Sequence, residues 1–184
     1  MNCILPRPIQ YLMSEEHTNQ AREAAAEREA WHTKHPTVNR EGYQFGANNN
    51  ILVSSLIGNL AACIVELAAS VFFCRKWNTP YWKNYEHKTA SFLLPDVGDN
   101  LEVKWSRRTW PKWVYINPWE AERNYYLLYV WTDKDRTNDK RAVVRLLGFA
   151  GAADAWLAGE DWQGKRRCNP IILRDLAFIA EVLK

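Results

Sequence analysis

The longest apolar stretch of the chain runs from Ile51 to Cys74 and contains one charged residue, Glu66. Its length and composition predict a buried helix that ends near Ser70 and leads into a short strand over Val71–Arg75. A stretch of this length can also cross a bilayer. Its polar residues, and above all a carboxylate at mid-helix, are costly in lipid, so the pattern favours a helix in a protein core and no membrane span.

Shorter patterns after this helix predict a sheet. Leu101–Trp105 alternates apolar and polar residues with a period of two, and Tyr125–Trp131 and Arg141–Ala150 are rich in β-forming residues. Helical patterns in this part are limited to a short turn at Pro118–Arg123 and a helix over Leu173–Leu183. We therefore expect one α/β or α+β domain with a mixed central sheet and helices packed against it.

The first fifty residues have a different pattern. Ser14 is suited to an N-cap, and the Ala-rich, charged sequence up to about His32 predicts a helix. Its apolar stripe consists of only Ala21, Ala24, Ala25 and Trp31. So thin a stripe favours a solvated helix, and the alternative is an arm or a contact between copies of the chain in a homo-oligomer. Residues 33–50 have the composition of a linker, so we divide the chain into an N-terminal arm and linker (1–49) and a main domain (50–184).

Turn residues directly precede the strand at Leu101. Gly98-Asp99-Asn100 tolerate the backbone of a tight turn after the apolar run Phe92–Leu94. Asp96 is thereby predicted to lie across from Glu102 in a hairpin, and Lys104 shares a face with Glu102. Two carboxylates at such a spacing repel each other unless a cation lies between them, and oxygen ligands suit Mg²⁺ or Mn²⁺. The pattern predicts an acidic cluster with a divalent metal ion.

Pro95-Asp96 followed by Glu102-Val103-Lys104 resembles the Pro-Asp…(Asp/Glu)-x-Lys signature of the restriction-endonuclease-like nucleases. The resemblance implies Mg²⁺- or Mn²⁺-dependent hydrolysis of DNA phosphodiester bonds. Asp96 and Glu102 would bind the metal together with the carbonyl of Val103, and Lys104 would stabilise charge or orient the attacking water. The order of elements over residues 50–150 also resembles the core of that family. Small proteins with this core are frequent in phages and mobile elements, which implies action in the cytoplasm of a host cell.

Glu66 has two interpretations of equal weight. In the nucleases that the signature resembles, the first core helix often supplies a Glu to the metal site, and Glu66 matches that role by position. Alternatively, Glu66 lies at the edge of its helix and pairs with Arg75 or Lys76. A buried carboxylate needs a cation or a hydrogen-bond partner in either case.

Basic and aromatic residues are interleaved after the Glu-x-Lys strand. Basic groups can contact phosphates and indoles can stack on unpaired bases. The candidate nucleic-acid contacts are Arg107, Arg108, Lys112, Trp105 and Trp110. The alternative is that the rings belong to the core and the arginines only solvate the strand, which is also our interpretation of the basic loop at Gly164–Arg167. The net charge of +3 is too small to indicate nucleic acid by itself.

A function of a different class competes with the nuclease. The chain can be an adaptor or inhibitor that binds nucleic acid or protein through its Trp-rich basic surface, with Asp96, Glu102 and Lys104 as a solvated ladder of ion pairs. A nuclease needs the acids to converge, whereas a ladder leaves them exposed on a flat sheet. The four cysteines are widely spaced and have no zinc-binding pattern, as is typical of reduced thiols in a cytosolic protein.

Overall fold

Two sheets form the β-structure of the described residues. The computed structural model describes residues 6–34, 51–78, 94–106, 108–133, 136 and 139–182. The strands are β1 (Ile9–Leu12), β2 (Leu101–Ser106), β3 (Val114–Ile116), β4 (Tyr126–Thr132), β5 (Val143–Gly151), β6 (Glu160–Trp162) and β7 (Lys165–Cys168). The main sheet has the order β1-β5-β4-β2, in which β2 is parallel to β4 and the other neighbours are antiparallel. The three strands predicted after the long helix are confirmed as β2, β4 and β5.

Two long helices cover one face of the main sheet. The described helices are α1 (Glu15–Lys34), α2 (Ile51–Phe72), α3 (Pro118–Glu122), α4 (Ala152–Ala158) and α5 (Leu176–Val182). The main core combines Ala21 of α1 and Ile64 of α2 with Val103 of β2 and Leu128 of β4. The chain is therefore an α+β fold with a mixed sheet and helices packed against it, which agrees with the coarse prediction.

The helix α1 is part of this core. Ser14 accepts a hydrogen bond from the backbone N–H of His17 at 3.0 Å, so the predicted N-cap is confirmed. Ala21 and Ala25 are buried against α2, and β1, which precedes α1, extends the main sheet. The expectation of a solvated helix is wrong, because small alanine side chains let two helices approach closely and a narrow stripe then suffices. The predicted linker lies almost wholly outside the described residues.

The helix α2 extends further than predicted. It continues to Phe72, so the expected strand over Val71–Arg75 is wrong. The Phe72 ring packs edge-on against Tyr11, with 6.1 Å between ring centroids, and this packing outweighs the β-propensity of the segment. Cys74 ends the helix in the left-handed region with φ of 52°. Among the described helices, none combines the length and apolar character that crossing a membrane requires.

A smaller antiparallel sheet, β3-β7-β6, packs on the other side of β4. Val114, Ile116 and Cys168 of this sheet bury their side chains with Leu127 and Tyr129 of β4 in a second core. The basic segment that we interpreted as a solvated loop is the strand β7, so that interpretation is wrong. Three of the four side chains of β7 are charged, so the sequence shows no alternation of apolar and polar residues there.

Candidate active site

Asp96 lies beside β2, at the end of the tight turn. Residues 98–100 form the predicted turn, with Gly98 at φ of 59°, and Val97 and Leu101 exchange backbone hydrogen bonds of 3.0 and 3.2 Å. This register places Asp96 across from Glu102, as predicted. The Asp96 carboxylate accepts a hydrogen bond from the backbone N–H of Val103 at 2.8 Å. Of the apolar run Phe92–Leu94, expected as the first strand of the hairpin, residues 92 and 93 lie outside the described part of the chain, and Leu94 is not in a strand.

The Val103 backbone is oriented toward Asp96. Its N–H points away from β4, because it donates to the Asp96 side chain at the opposite edge of β2. The N–H and C=O of one residue in a strand point to the same edge, so the Val103 carbonyl also lies on the Asp96 side. The carbonyl is therefore at the edge where the resemblance requires a metal ligand.

Lys104 lies between two carboxylates. Its ammonium is 3.1 Å from Glu102, which confirms that these two residues share a face of β2, and it also contacts the carboxylate of Glu120 in α3. The side chain of Lys104 is 21% exposed and that of Glu102 is 13% exposed. The group is thus largely shielded from water, which differs from a solvated ladder on a flat sheet.

Glu120 is a site residue that the sequence analysis missed. Its side chain is fully buried and accepts hydrogen bonds from the Asn117 backbone N–H at 2.8 Å and from the Asn117 side-chain amide at 2.6 Å. Asn117-Pro-Trp-Glu120 has the spacing of a helix N-cap followed by an acid at the third helical position. That signal predicts the local hydrogen bond but not the contact with Lys104, which depends on where the tertiary structure places α3.

Glu66 is paired, but its partner comes from α1. The Glu66 carboxylate lies 3.6 Å from the guanidinium of Arg28 and accepts a hydrogen bond from the Trp77 indole at 3.2 Å. Both Glu66 and Arg28 are buried. One of the two sequence interpretations expected Arg75 or Lys76 as the partner, and it is wrong because α1 brings Arg28 to Glu66. Arg28 follows Ala21 and Ala25 on one helix stripe at helical spacing, which is the signal that could have placed it facing α2.

The carboxyl groups are close enough to affect one another. Burial raises the pKa of Asp96 to about 8, with a further contribution from Glu66, while the Val103 N–H and Lys104 oppose the shift. Burial, followed by the charge of Asp96, raises the pKa of Glu102 to about 8. Burial also raises the pKa of Glu66, against the effect of Arg28. The pKa of Asp96 is therefore affected both by Glu66 of α2 and by Lys104 of β2.

The lysine keeps its charge in this setting. Burial by itself lowers the pKa of Lys104, but Glu102 and Glu120 outweigh that effect and raise the pKa well above its ordinary value. Lys104 is consequently protonated at neutral pH. It can donate hydrogen bonds and stabilise negative charge, and it cannot serve as a base there.

The site contains carboxylate oxygens, the type of ligand that Mg²⁺ and Mn²⁺ prefer. Four carboxyl groups, Glu66, Asp96, Glu102 and Glu120, lie near two cationic groups, Arg28 and Lys104, so acidic groups outnumber basic groups in this shielded region. Burial is the first cause of the raised pKa values of Asp96 and Glu102, because it disfavours the charged form, and a bound cation would oppose that effect. In the described part of the chain, no group of three or more His, Cys, Asp or Glu residues is arranged to hold a metal ion. Mg²⁺ needs only one or two carboxylates, because it keeps several of its waters.

The predicted nucleic-acid contacts fall into two groups. Arg108 and Lys112 are exposed, and Arg107 lies outside the described residues. Trp105 packs against the main core and Trp110 against the second core. The alternative in which these two rings are structural therefore agrees with their packing, and the contacts with nucleic acid stay predictions.

Comparison of the chain with protein-family models, with curated proteins and with solved structures finds no match. The functional argument therefore depends on the geometry and chemistry of the residues described above.

Proposed function

We propose that the protein is a metal-dependent nuclease with a restriction-endonuclease-like core that hydrolyses phosphodiester bonds of DNA. The observation that carries the proposal is that the Pro-Asp…Glu-x-Lys residues interact in one shielded group. Asp96 is oriented by the Val103 N–H, while Glu102 contacts Lys104. The charge of Glu66 contributes to the raised pKa of Asp96, which supports a role for the helix carboxylate that the resemblance implies.

Each residue has a role that follows from its surroundings. Asp96 and Glu102 would hold Mg²⁺ or Mn²⁺, with the Val103 carbonyl at the same edge of β2. An ion held there would supply Lewis-acid chemistry: it would lower the pKa of a water and neutralise charge on the scissile phosphate. The Val103 N–H fixes one oxygen of Asp96 and thereby orients the other oxygen. Glu66 adds negative potential from α2, either as a ligand or through a water.

Lys104 stabilises the negative charge that develops on the phosphate. Glu102 and then Glu120 raise the pKa of Lys104, and Glu120 is not among the proposed ligands, so its contact with the ammonium would remain with a metal ion at Glu102. Glu120 also restrains the ammonium, because its own carboxylate is held by Asn117. A charged, restrained donor of this kind needs little reorganisation during the reaction.

The competing function is a binding protein in which the same charges are structural. The observation that favours it is that Glu66, Glu102 and Lys104 each have an ion-pair partner within the protein. Burial argues against it, because replacing buried ion pairs by apolar residues is often neutral or stabilising, so stability alone gives little reason for such a group. The ion pairs are therefore weaker support for a structural role than for a functional one.

The test is cleavage of single-stranded, double-stranded and branched DNA with Mg²⁺, with Mn²⁺ and with EDTA. We expect metal-dependent cleavage by the wild type and a loss on the order of 10²-fold or more in Asp96→Asn, which keeps the oxygen that accepts from Val103. Asp99→Asn is the matched control, because Asp99 is an exposed acid of the same turn. Wild-type protein that cleaves none of these substrates, or an Asp96→Asn variant of undiminished activity, would refute the proposal.

A further inference from the structure

The smaller sheet has one buried face and one outward face. Val114 and Cys168 point into the second core. Side chains alternate along a strand, so Tyr115 and Arg167 lie on the outward face, where they are paired in register. Arg167 is in turn paired with Glu160 of β6.

Aromatic and basic side chains cover this outward face. The Arg167 guanidinium lies 4.5 Å from the ring centroid of Trp113 and 5.9 Å from that of Trp162. The Trp162 ring is tilted by 54° against Tyr115, with 5.0 Å between centroids. Lys165 pairs in register with Trp162 and precedes Arg167 by two residues, which places it on the same face. We call this set the outer face: Trp113, Tyr115, Trp162, Lys165 and Arg167.

The outer face adjoins the candidate active site. Tyr129 is the register partner of Lys104, and its hydroxyl accepts a hydrogen bond from the backbone N–H of Tyr115 at 2.9 Å. The charges of Lys104 and Glu120 also act on Lys165, whose pKa is lowered by burial first and then by Lys104, against the effect of Glu120. A DNA strand bound on the outer face would therefore lie near the elements that hold Lys104.

We propose that the outer face binds an unpaired segment of the DNA substrate, with its bases on the aromatic rings and its phosphates on Lys165 and Arg167. Indole and phenol rings stack on nucleic-acid bases of any sequence, and basic groups between them neutralise the backbone. In a duplex the base faces are covered by neighbouring pairs, so the chemistry of this surface selects a single strand. The inference rests on the proposed function only for the expectation that the bound DNA continues toward the active site. The binding itself requires no metal ion.

Glu160 forms an ion pair with the Arg167 guanidinium, the group that a phosphate would bind. Its carboxylate lies 2.8 Å from Arg167 and its side chain is 60% exposed. Glu160 is the more exposed partner, since the Arg167 side chain is 28% exposed, so another anion can replace its carboxylate. A phosphate oxygen that displaces Glu160 would keep Arg167 stacked between the two indoles. Removing the Glu160 charge is therefore expected to strengthen binding without any change to the rings.

The experiment is fluorescence anisotropy in EDTA with three labelled 12-nucleotide probes: oligo(dT), an abasic strand of equal length and a duplex. We expect the wild type to bind oligo(dT) more tightly than either of the other probes. Tyr115→Ala should raise the Kd for oligo(dT) by about 5- to 100-fold, the range for losing one stacking ring, with little effect on the abasic strand. Arg167→Ala should lower the slope of log K against log salt by about 0.7, and Glu160→Gln should lower the Kd.

Matched controls come from the surface near α5. Phe178→Ala removes an exposed aromatic ring, and Arg174→Ala removes an exposed arginine that pairs with Asp154 at 3.4 Å. Both should bind oligo(dT) as the wild type does. The Tyr115 side chain is 37% exposed and its hydrogen bond to Tyr129 comes from the backbone, so Tyr115→Ala should fold. Circular dichroism and thermal melting would be used to check that each variant is folded.

The results separate this inference from the nuclease proposal. Unchanged binding in folded Tyr115→Ala and Arg167→Ala variants, or equal binding of duplex and single strand, would overturn the outer face as the binding surface. That outcome leaves cleavage by the wild type intact and so does not affect the nuclease proposal. Conversely, the wild type could cleave none of the substrates and still bind oligo(dT), with the expected effects of the variants. That result would support the outer face as the binding surface and refute the nuclease proposal.

Discussion

The ammonium of Lys104 contacts the carboxylate of Glu120, sixteen residues later in the chain, where the acid is fully buried at the start of α3. This contact joins the edge strand of the main sheet to the helix that leads into β4. It also explains how a lysine beside Glu102 stays charged and in one orientation. The positioning of Lys104 can therefore be tested separately from metal binding.

Glu120→Gln tests that positioning. The amide keeps an oxygen for the Asn117 N–H but removes the negative charge, so we expect a lower Lys104 pKa and a loss of about 1–3 kcal/mol in the free energy of unfolding. In the nuclease, cleavage should fall and its high-pH limb should move to lower pH. The measurements are single-turnover rates against pH and urea unfolding. Glu122→Gln, an exposed acid of the same helix, is the control, and an unshifted pH profile would count against a positioning role.

Lys104→Ala tests the chemistry. If the lysine stabilises charge that appears only in the transition state, the cleavage rate should fall by about 10²–10³ while DNA and metal binding remain. Lys104→Arg should not restore the rate fully, because a planar guanidinium does not replace a compact ammonium. Single-turnover cleavage and the Kd for DNA are measured on the same preparations. A parallel loss of binding and rate would mean that Lys104 contributes ground-state affinity instead.

The stability of the metal-free protein should depend on pH through Asp96 and Glu102. Both pKa values are raised to about 8 in the folded state, from 3.8 and 4.5. The folded state thus binds more protons than the unfolded state between about pH 4 and 8, so these groups lower the free energy of unfolding as pH rises through that window. Urea unfolding in EDTA should show a flatter pH dependence in Asp96→Asn than in the wild type.

Divalent ions should reverse this trend. Metal ligands must be deprotonated, so the stabilisation by Mn²⁺ should increase from pH 5 to pH 8 in the wild type and be absent in Asp96→Asn. Asp99→Asn serves again as the control for a nearby exposed acid. In EDTA, an equal pH dependence of the free energy of unfolding in the wild type and in Asp96→Asn would mean that the pKa of Asp96 is not raised in the folded protein.

Arg28→Met should destabilise the fold through Glu66. Removing one partner of a buried ion pair leaves an uncompensated charge and typically costs about 3–5 kcal/mol. Adding Glu66→Gln to Arg28→Met should recover part of that loss, because the neutral amide needs no counter-ion. Urea unfolding of the two single variants and the double variant measures the coupling. Additive losses would show that Arg28 and Glu66 do not interact energetically.

The sequence by itself determined the features that depend on local spacing. The turn at residues 98–100, the period-two strand after it and the shared face of Glu102 and Lys104 follow from backbone geometry over a few residues, and so does the Ser14 N-cap. The register that sets Asp96 across from Glu102 follows from the length of the same turn. Such local geometry requires no knowledge of the rest of the chain.

Only the tertiary structure decided which distant groups meet. The partner of Glu66 is Arg28, the partner of Lys104 is Glu120, and β7 becomes a strand because β3 and β6 lie beside it. The burial that raises the pKa of Asp96 likewise comes from elements far apart in sequence. These contacts depend on how helices and sheets pack, and packing is set by the whole set of long-range contacts, which local spacing does not determine.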